Sequence, residues 1–434
     1  MNKLFKMVLL TICMVFLTSS AWASTLEDHV KVAPGGKGDV LIFPFYAAID
    51  GGWETKLTVI NTHKELSTVA KVVVRSPVWS EELLDFFIYL SPTDVWTGTL
   101  KFDAQLGAML ESDDDSIVAR LDGAANPVWG DEEVARRALV QPSGVFDFNE
   151  MGYVYVINIA SFDEGLPQVD KYDIYERYQL ITAITDAVAP QNILSGWMDF
   201  QVAGFGLTSA LNAVTLRDYK NEEVAVIAEE TFLGALANNT LMEVEAALSK
   251  NDIAIPYLNT GDDISMHFLT FPTKYSELDE DGFIEGVRSP FAGFRSDRDF
   301  CVRFKLNVYD TTEDSITPAD PIWSPAPPPE FNDLCLELNW LVSDESPFEE
   351  GWLRYTFDYT TLGSNRATEE MIYTGAPVIP VGLNLGMSGM SLKYGAWTDG
   401  EVSSTAWDGA GFPVEGYQYA DFGRVQVDKV DDAE

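Results

Sequence analysis

The chain has 434 residues, with 68 acidic against 28 basic side chains, a formal net charge of −40 at pH 7, and 46% apolar content. So acidic a surface repels polyanions, which removes nucleic acid and anionic lipid from the expected partners. The apolar and aromatic content is too high for a disordered chain, whatever its charge.

The N-terminus reads as a secretory signal over residues 1–23. Lys3 and Lys6 form its charged end, Met7–Leu17 its apolar stretch, and Ala21-Trp22-Ala23 a small-x-small cleavage site. That stretch falls short of the roughly 20 residues that span a bilayer, and no later segment approaches a transmembrane helix. The expectation is an exported protein, extracellular or on the cell surface, with the periplasm as the other destination.

Val40–Ala47 reads as the first strand, with Pro44 favouring an edge or a bulge. The organising stretch follows, from Glu54 to Phe102. In Thr68–Arg75, Ala70, Val72 and Val74 share one face and Val69, Lys71, Val73 and Arg75 the other. In Leu84–Leu90, Leu84, Phe86, Ile88 and Leu90 oppose Asp85, Phe87 and Tyr89. A period of two marks strands of a half-buried sheet, and the polar breaks at Asn61–Glu65 and Ser91–Asp94 make the stretch read as an antiparallel meander.

Beyond it, the acidic run Glu111-Ser112-Asp113-Asp114-Asp115 reads as a loop and Ile117–Leu121 as a strand, with a short helix over Asp131–Leu139. Gly152–Ala160 and Gly196–Val202 are strand-like, and Tyr172–Pro190 has an apolar spacing that suits a helix. Thr240 and Glu243 stand at capping-box spacing, and Leu241, Val244 and Leu248 line one face of the helix that would follow. Ile264–Thr270, Trp352–Tyr359 and Pro377–Leu385 return to the strand pattern, while Pro318–Pro329 reads as an exposed extended loop.

Two cysteines, Cys301 and Cys335, follow the signal. In an oxidising compartment such a pair forms a disulfide, and both fall on the polar faces of alternating segments. The whole pattern predicts a mainly β protein of antiparallel β-sandwich architecture in two lobes, 24–220 and 221–434, with a few short helices.

Several stretches carry a resemblance. Gly52–Thr62, Leu84–Gly98, Thr270–Lys274, Cys301 with Leu334-Cys335, Gly351–Phe357 and Gly375–Pro380 together resemble a largely uncharacterised family of secreted proteobacterial proteins. Some of its members carry a surface-layer label. The resemblance implies a cell-surface protein and supplies no catalytic residues. Where the family has a cysteine after the acidic run, this chain has Asp115-Ser116-Ile117.

Chemistry is sparse. The three histidines, His29, His63 and His267, stand apart in the sequence, and each reads as structural. Asp279, Asp281 and Glu285 surround Gly282 and form a candidate calcium site, since Ca²⁺ takes six to eight oxygen ligands. Trp323 and Trp352 are the tryptophans best placed to stack on sugar rings. The leading expectation is a non-enzymatic surface structural or adhesive protein acting through self-association or contact with cell-surface components, modulated by calcium. The alternative is an extracellular carbohydrate-binding module, and the third reading is a secreted hydrolase.

Overall fold

The computed structural model describes residues 30–33, 35–78, 81–117, 135–140, 148–163, 188, 191–219, 240–274, 291, 293–295, 299–316, 332–343, 346, 348–365, 369–386, 389–399, 402–406 and 418–419. The signal segment, His29, Tyr172–Pro190 apart from Val188, the Asp279–Glu285 loop, the Pro-rich loop with Trp323, and the boundary near residue 220 lie outside or at the margin of the described residues.

Within them the fold is antiparallel β, with the α-helix Thr240–Leu248 where the capping-box spacing places it. The first sheet orders Lys31–Val32, Val214–Arg217, Val40–Ala47, Met151–Asp163, Leu66–Arg75 and Glu82–Leu90. The second orders Leu207–Asn212, Leu194–Val202, Trp53–Asn61, Val95–Asp103, Gly107–Ser112 and Ala135–Ala138. The third is built on Asp299–Asp310, Glu350–Thr356 and Ser249–Leu258, the last also pairing with Ala396–Asp399. The fourth orders Leu338–Val342, Ile264–Thr270, Ile379–Gly386 and Gly389–Tyr394. A fifth sheet, also of four strands, holds Thr360–Asn365, Glu369–Thr374, Val402–Ala406 and Gln418–Tyr419.

The β content agrees with the sequence, but the two-lobed β-sandwich does not form. The mainly β fold is instead arranged as a four-bladed β-propeller. Burial is the finding that separates the two. A sheet of an isolated sandwich keeps one wet face, whereas the first sheet here is covered on both. Ala70, Val72 and Val74 join one core cluster with the second and fourth sheets, and Val69 and Val73 join another with the helix. The fourth sheet is likewise covered twice, with Phe268 and Val381 in the first cluster and Leu269 and Leu341 packed on the third sheet. Phe45 stacks on Phe268 with centroids 4.3 Å apart, so the core is continuous between early and late parts of the chain.

The organising stretch keeps its strands but not its meander. Trp53–Asn61 pairs with Val95–Asp103 in the second sheet, while Leu66–Arg75 pairs with Glu82–Leu90 in the first. The two breaks are where the chain crosses between sheets, and Asn61 ties them together. Buried Asn61 donates from Nδ2 to the carbonyls of Leu66 (2.7 Å) and Ser91 (3.0 Å). His63 in the same turn accepts from the amides of Glu65 and Leu66 through Nδ1, a structural role.

Other details differ from the pattern reading. Ala135–Ala138, inside the expected helix, is a strand on the edge of the second sheet. Pro44 occupies a register shift in a central strand, between Phe43 and Tyr46, because the missing amide donor is tolerated at a bulge. The Cys301–Cys335 disulfide forms, one residue beyond the paired Val302 and Leu334. Cys301 is buried rather than on a wet polar face. Closing that loop stabilises the fold by about 4 kcal/mol on the chain-entropy view.

Candidate functional site

The first four sheets converge on a cavity of about 390 Å³. Each contributes a wall, which places the cavity at the junction of the blades, where no single strand or loop would form it.

The second sheet supplies Ser195 and Trp197. Strand Leu194–Val202 alternates strictly, and Leu194, Met198, Phe200 and Val202 enter the core. The period of two then turns Ser195 and Trp197 to the opposite side, into the cavity. Gly196 between them is closely packed: an added Cβ would lie 2.6 Å from the Thr58 carbonyl of the paired strand and 3.0 Å from Leu41 of the first sheet. The indole of Trp197 donates to Asp199 Oδ2 at 3.2 Å, which fixes the ring.

The third sheet supplies Lys250, Trp397 and Asp399. Lys250 is the second residue of strand Ser249–Leu258 and pairs with Asp399 on Ala396–Asp399. Its ammonium is 3.1 Å from Asp399 Oδ1 and 3.2 Å from the Ser249 carbonyl, and lies 5.3 Å from the Trp397 ring centre. Burial lowers the Lys250 pKa, and the Asp399 charge opposes that shift. The fourth sheet adds Ile379, Pro380 and Tyr394, with Tyr394 meeting Trp397 edge to face at 6.3 Å. The Tyr394 hydroxyl donates to the Asn212 carbonyl at 2.5 Å, linking the fourth sheet to the second. Val32, Val214 and Thr215 of the first sheet, with Ala247 and Leu248 at the helix end, complete the lining.

The result is a concave, largely apolar space with three aromatic rings and a small set of fixed polar groups. That is the general constitution of a small-molecule site. Aromatic faces suit the C–H faces of a pyranose, and the fixed donors and acceptors suit its hydroxyls.

Of the residues expected from sequence to bind a ligand, Trp352 lies elsewhere. It is half-buried on strand Glu350–Thr356, and its ring stacks on Tyr309 at 5.0 Å and 4°, which occupies one face. Trp323 and the candidate calcium ligands Asp279, Asp281 and Glu285 fall outside the described residues. Among the described residues, no group of three His, Cys, Asp or Glu is placed to hold a metal ion. Nor is any described helix long and apolar enough to cross a membrane.

His267 is a core residue. Its Nε2 faces the Pro256 carbonyl at 3.2 Å, which can only accept, so Nε2 carries the proton and Nδ1 accepts from the Tyr355 hydroxyl at 2.9 Å. Burial lowers its pKa to about 3.

Trp197, Trp397 and Lys250 were not singled out from sequence. Alternation marks Trp197 as pointing away from the core, but nothing local brings it to Trp397, two hundred positions on.

Comparison with known proteins returns nothing: no family model matches the chain, and no curated protein or solved structure is similar to it.

The expectation of a structural or adhesive sandwich acting through assembly is corrected here. It rested on layered sheets with a broad outer skin, and the propeller instead gathers aromatic and polar groups in a concavity between its blades.

Proposed function

We propose that the protein is an exported carbohydrate-binding protein of lectin type, seating a saccharide in the cavity between its sheets. The observation that carries this reading is the pairing of Trp197 and Trp397 in one cavity of about 390 Å³ with Ser195, Lys250 and Asp399. A space of that volume accepts one or two sugar rings. The aromatic walls offer stacking, and the polar groups are held on strands of the second and third sheets, so little ordering is required on binding.

Binding without turnover fits the lining better than hydrolysis does. Glycoside hydrolysis uses two flanking carboxyl groups, and among the described residues lining the cavity Asp399 is the one carboxylate, engaged with Lys250. Export is supported by the signal pattern and by the Cys301–Cys335 disulfide, which persists in oxidising compartments.

The test is retention of the purified chain on a glycan array, repeated with Trp397→Ala. Retention that the substitution abolishes, with the fold unchanged by circular dichroism, is the expected outcome. Retention on no saccharide would end the proposal.

A further inference from the structure

Among the described residues, Phe205, Val140 and Leu106 are the most exposed large apolar side chains, at 70%, 62% and 47%. The register of the second sheet brings all three to one end of it. Trp53, the first residue of its strand, faces Val202, and the turn that carries Phe205 follows at once. On the other side of the same strand Thr55 faces Leu100, so Asp103 and the turn with Leu106 emerge at that end too. Ala138 faces Met109, and the Leu139 amide donates to the Ala108 carbonyl at 2.8 Å, which leads Val140 to the same end.

These turns project, and they engage their own amides. The Gly206 amide donates to the Ala203 carbonyl at 3.1 Å, and the Ala203 amide to the Gly52 carbonyl at 2.8 Å. Asp103 Oδ1 accepts from the amides of Gln105 and Leu106 at 2.8 and 3.0 Å, and Asp50 Oδ1 accepts from the Gly51 amide at 2.8 Å. A Cβ added at Gly51, Gly107 or Gly206 would meet nothing within 4 Å, so the turns stand clear of the body. Ala203-Gly204-Phe205-Gly206 has no polar side chain at all. Leaving water is costly for unpaired amides and cheap for paired ones, so apolar tips with engaged amides suit a medium poorer in hydrogen bonds than water.

We propose that this end of the second sheet docks on a bilayer of zwitterionic lipid, with Phe205, Leu106 and Val140 seated in its interface. Three arguments select that occupant. At the usual strand spacing of about 4.8 Å the two hairpin turns stand about 14 Å apart, with the Asp50-Gly51 turn between them. Fluid lipid closes around separate points, whereas a folded partner needs a pocket for each. A second copy would set one net charge of −40 against another, and anionic lipid meets the same repulsion. Zwitterionic headgroups carry no net charge, and they turn outward an ammonium that Asp50 and Asp103 complement. Insertion is one turn deep, so binding is shallow and reversible. The saccharide cavity uses other residues, and the inference does not rest on it.

The experiment floats the exported chain, freed of its signal, with vesicles of phosphatidylcholine alone and of an equal mixture with phosphatidylserine, at low and high ionic strength. The expected result is flotation with phosphatidylcholine that Phe205→Ser with Leu106→Ser weakens about tenfold. At low salt the mixed vesicles bind less, and the difference shrinks as screening rises. Both residues are exposed, so thermal unfolding and glycan-array retention of the variant should match the parent; if unfolding shifts, Phe205→Ser alone carries the comparison. No flotation of the parent, equal flotation of the variant, or tighter binding to the mixed vesicles at low salt overturns the inference. So does a lipid-free dimer in sedimentation velocity that the variant abolishes, which would give this face to a second copy. None of these outcomes touches the saccharide reading, which the array tests by itself.

Discussion

His267 offers the sharpest energetic test. Its imidazole is fully buried between Tyr355 and the Pro256 carbonyl, and burial lowers its pKa to about 3 from 6.5. The folded state therefore holds it neutral, and as pH falls the unfolded chain takes up the proton first. Its contribution is complete above about pH 6.5 and is lost progressively down to about pH 3. Linkage between those two values gives a loss of roughly 3 kcal/mol from about pH 7 to about pH 4. His267→Gln keeps a donor for Pro256 and an acceptor for Tyr355 but cannot charge. Urea midpoints of both proteins, followed by fluorescence at the two pH values, isolate the histidine from the many carboxylates, which are common to both. The variant should lose about 3 kcal/mol less than the parent on acidification. Parallel pH profiles would refute the buried neutral histidine.

Three further outcomes follow from the packing. Phe45→Ala removes the ring stacked on Phe268 and edge-on to Phe200, and should cost about 3–5 kcal/mol in chemical denaturation. Cys301→Ser with Cys335→Ser should lower stability by about 4 kcal/mol, read from the same urea curves under non-reducing conditions. Gly375→Ala should destabilise by more than about 2 kcal/mol and weaken glycan binding. Gly375 has a φ of 84°, and its new Cβ would stand 2.3 Å from the carbonyl oxygen of Lys250, displacing that residue in the cavity wall. Thermal unfolding and array retention of the one variant report both effects.

The strands were legible because their signal is local. Val69–Val74 and Leu84–Leu90 alternate as written, and the helix at Thr240 begins at its capping spacing. What alternation does not carry is how many faces will be covered. A period of two puts Val69, Val73 and Tyr89 on one side of a half-wet sheet, yet all are buried against the helix layer. Apolar residues on both faces of Thr68–Arg75 were the available sign of a doubly covered sheet. Sheet membership was equally out of reach, since Asn61–Glu65 looks like a hairpin turn whether its flanking strands pair or part. The site was least legible. Lys250, Trp197 and Trp397 line one cavity only through the convergence of separate sheets, whereas Trp352 is engaged with Tyr309.

Hydroxyl-radical footprinting with the saccharide best retained on the array tests the central claim most directly, because it reads each tryptophan separately. Seating in the cavity predicts protection of Trp197 and Trp397 and an unchanged rate at Trp352. Protection of Trp352 with none at the two cavity tryptophans would contradict it.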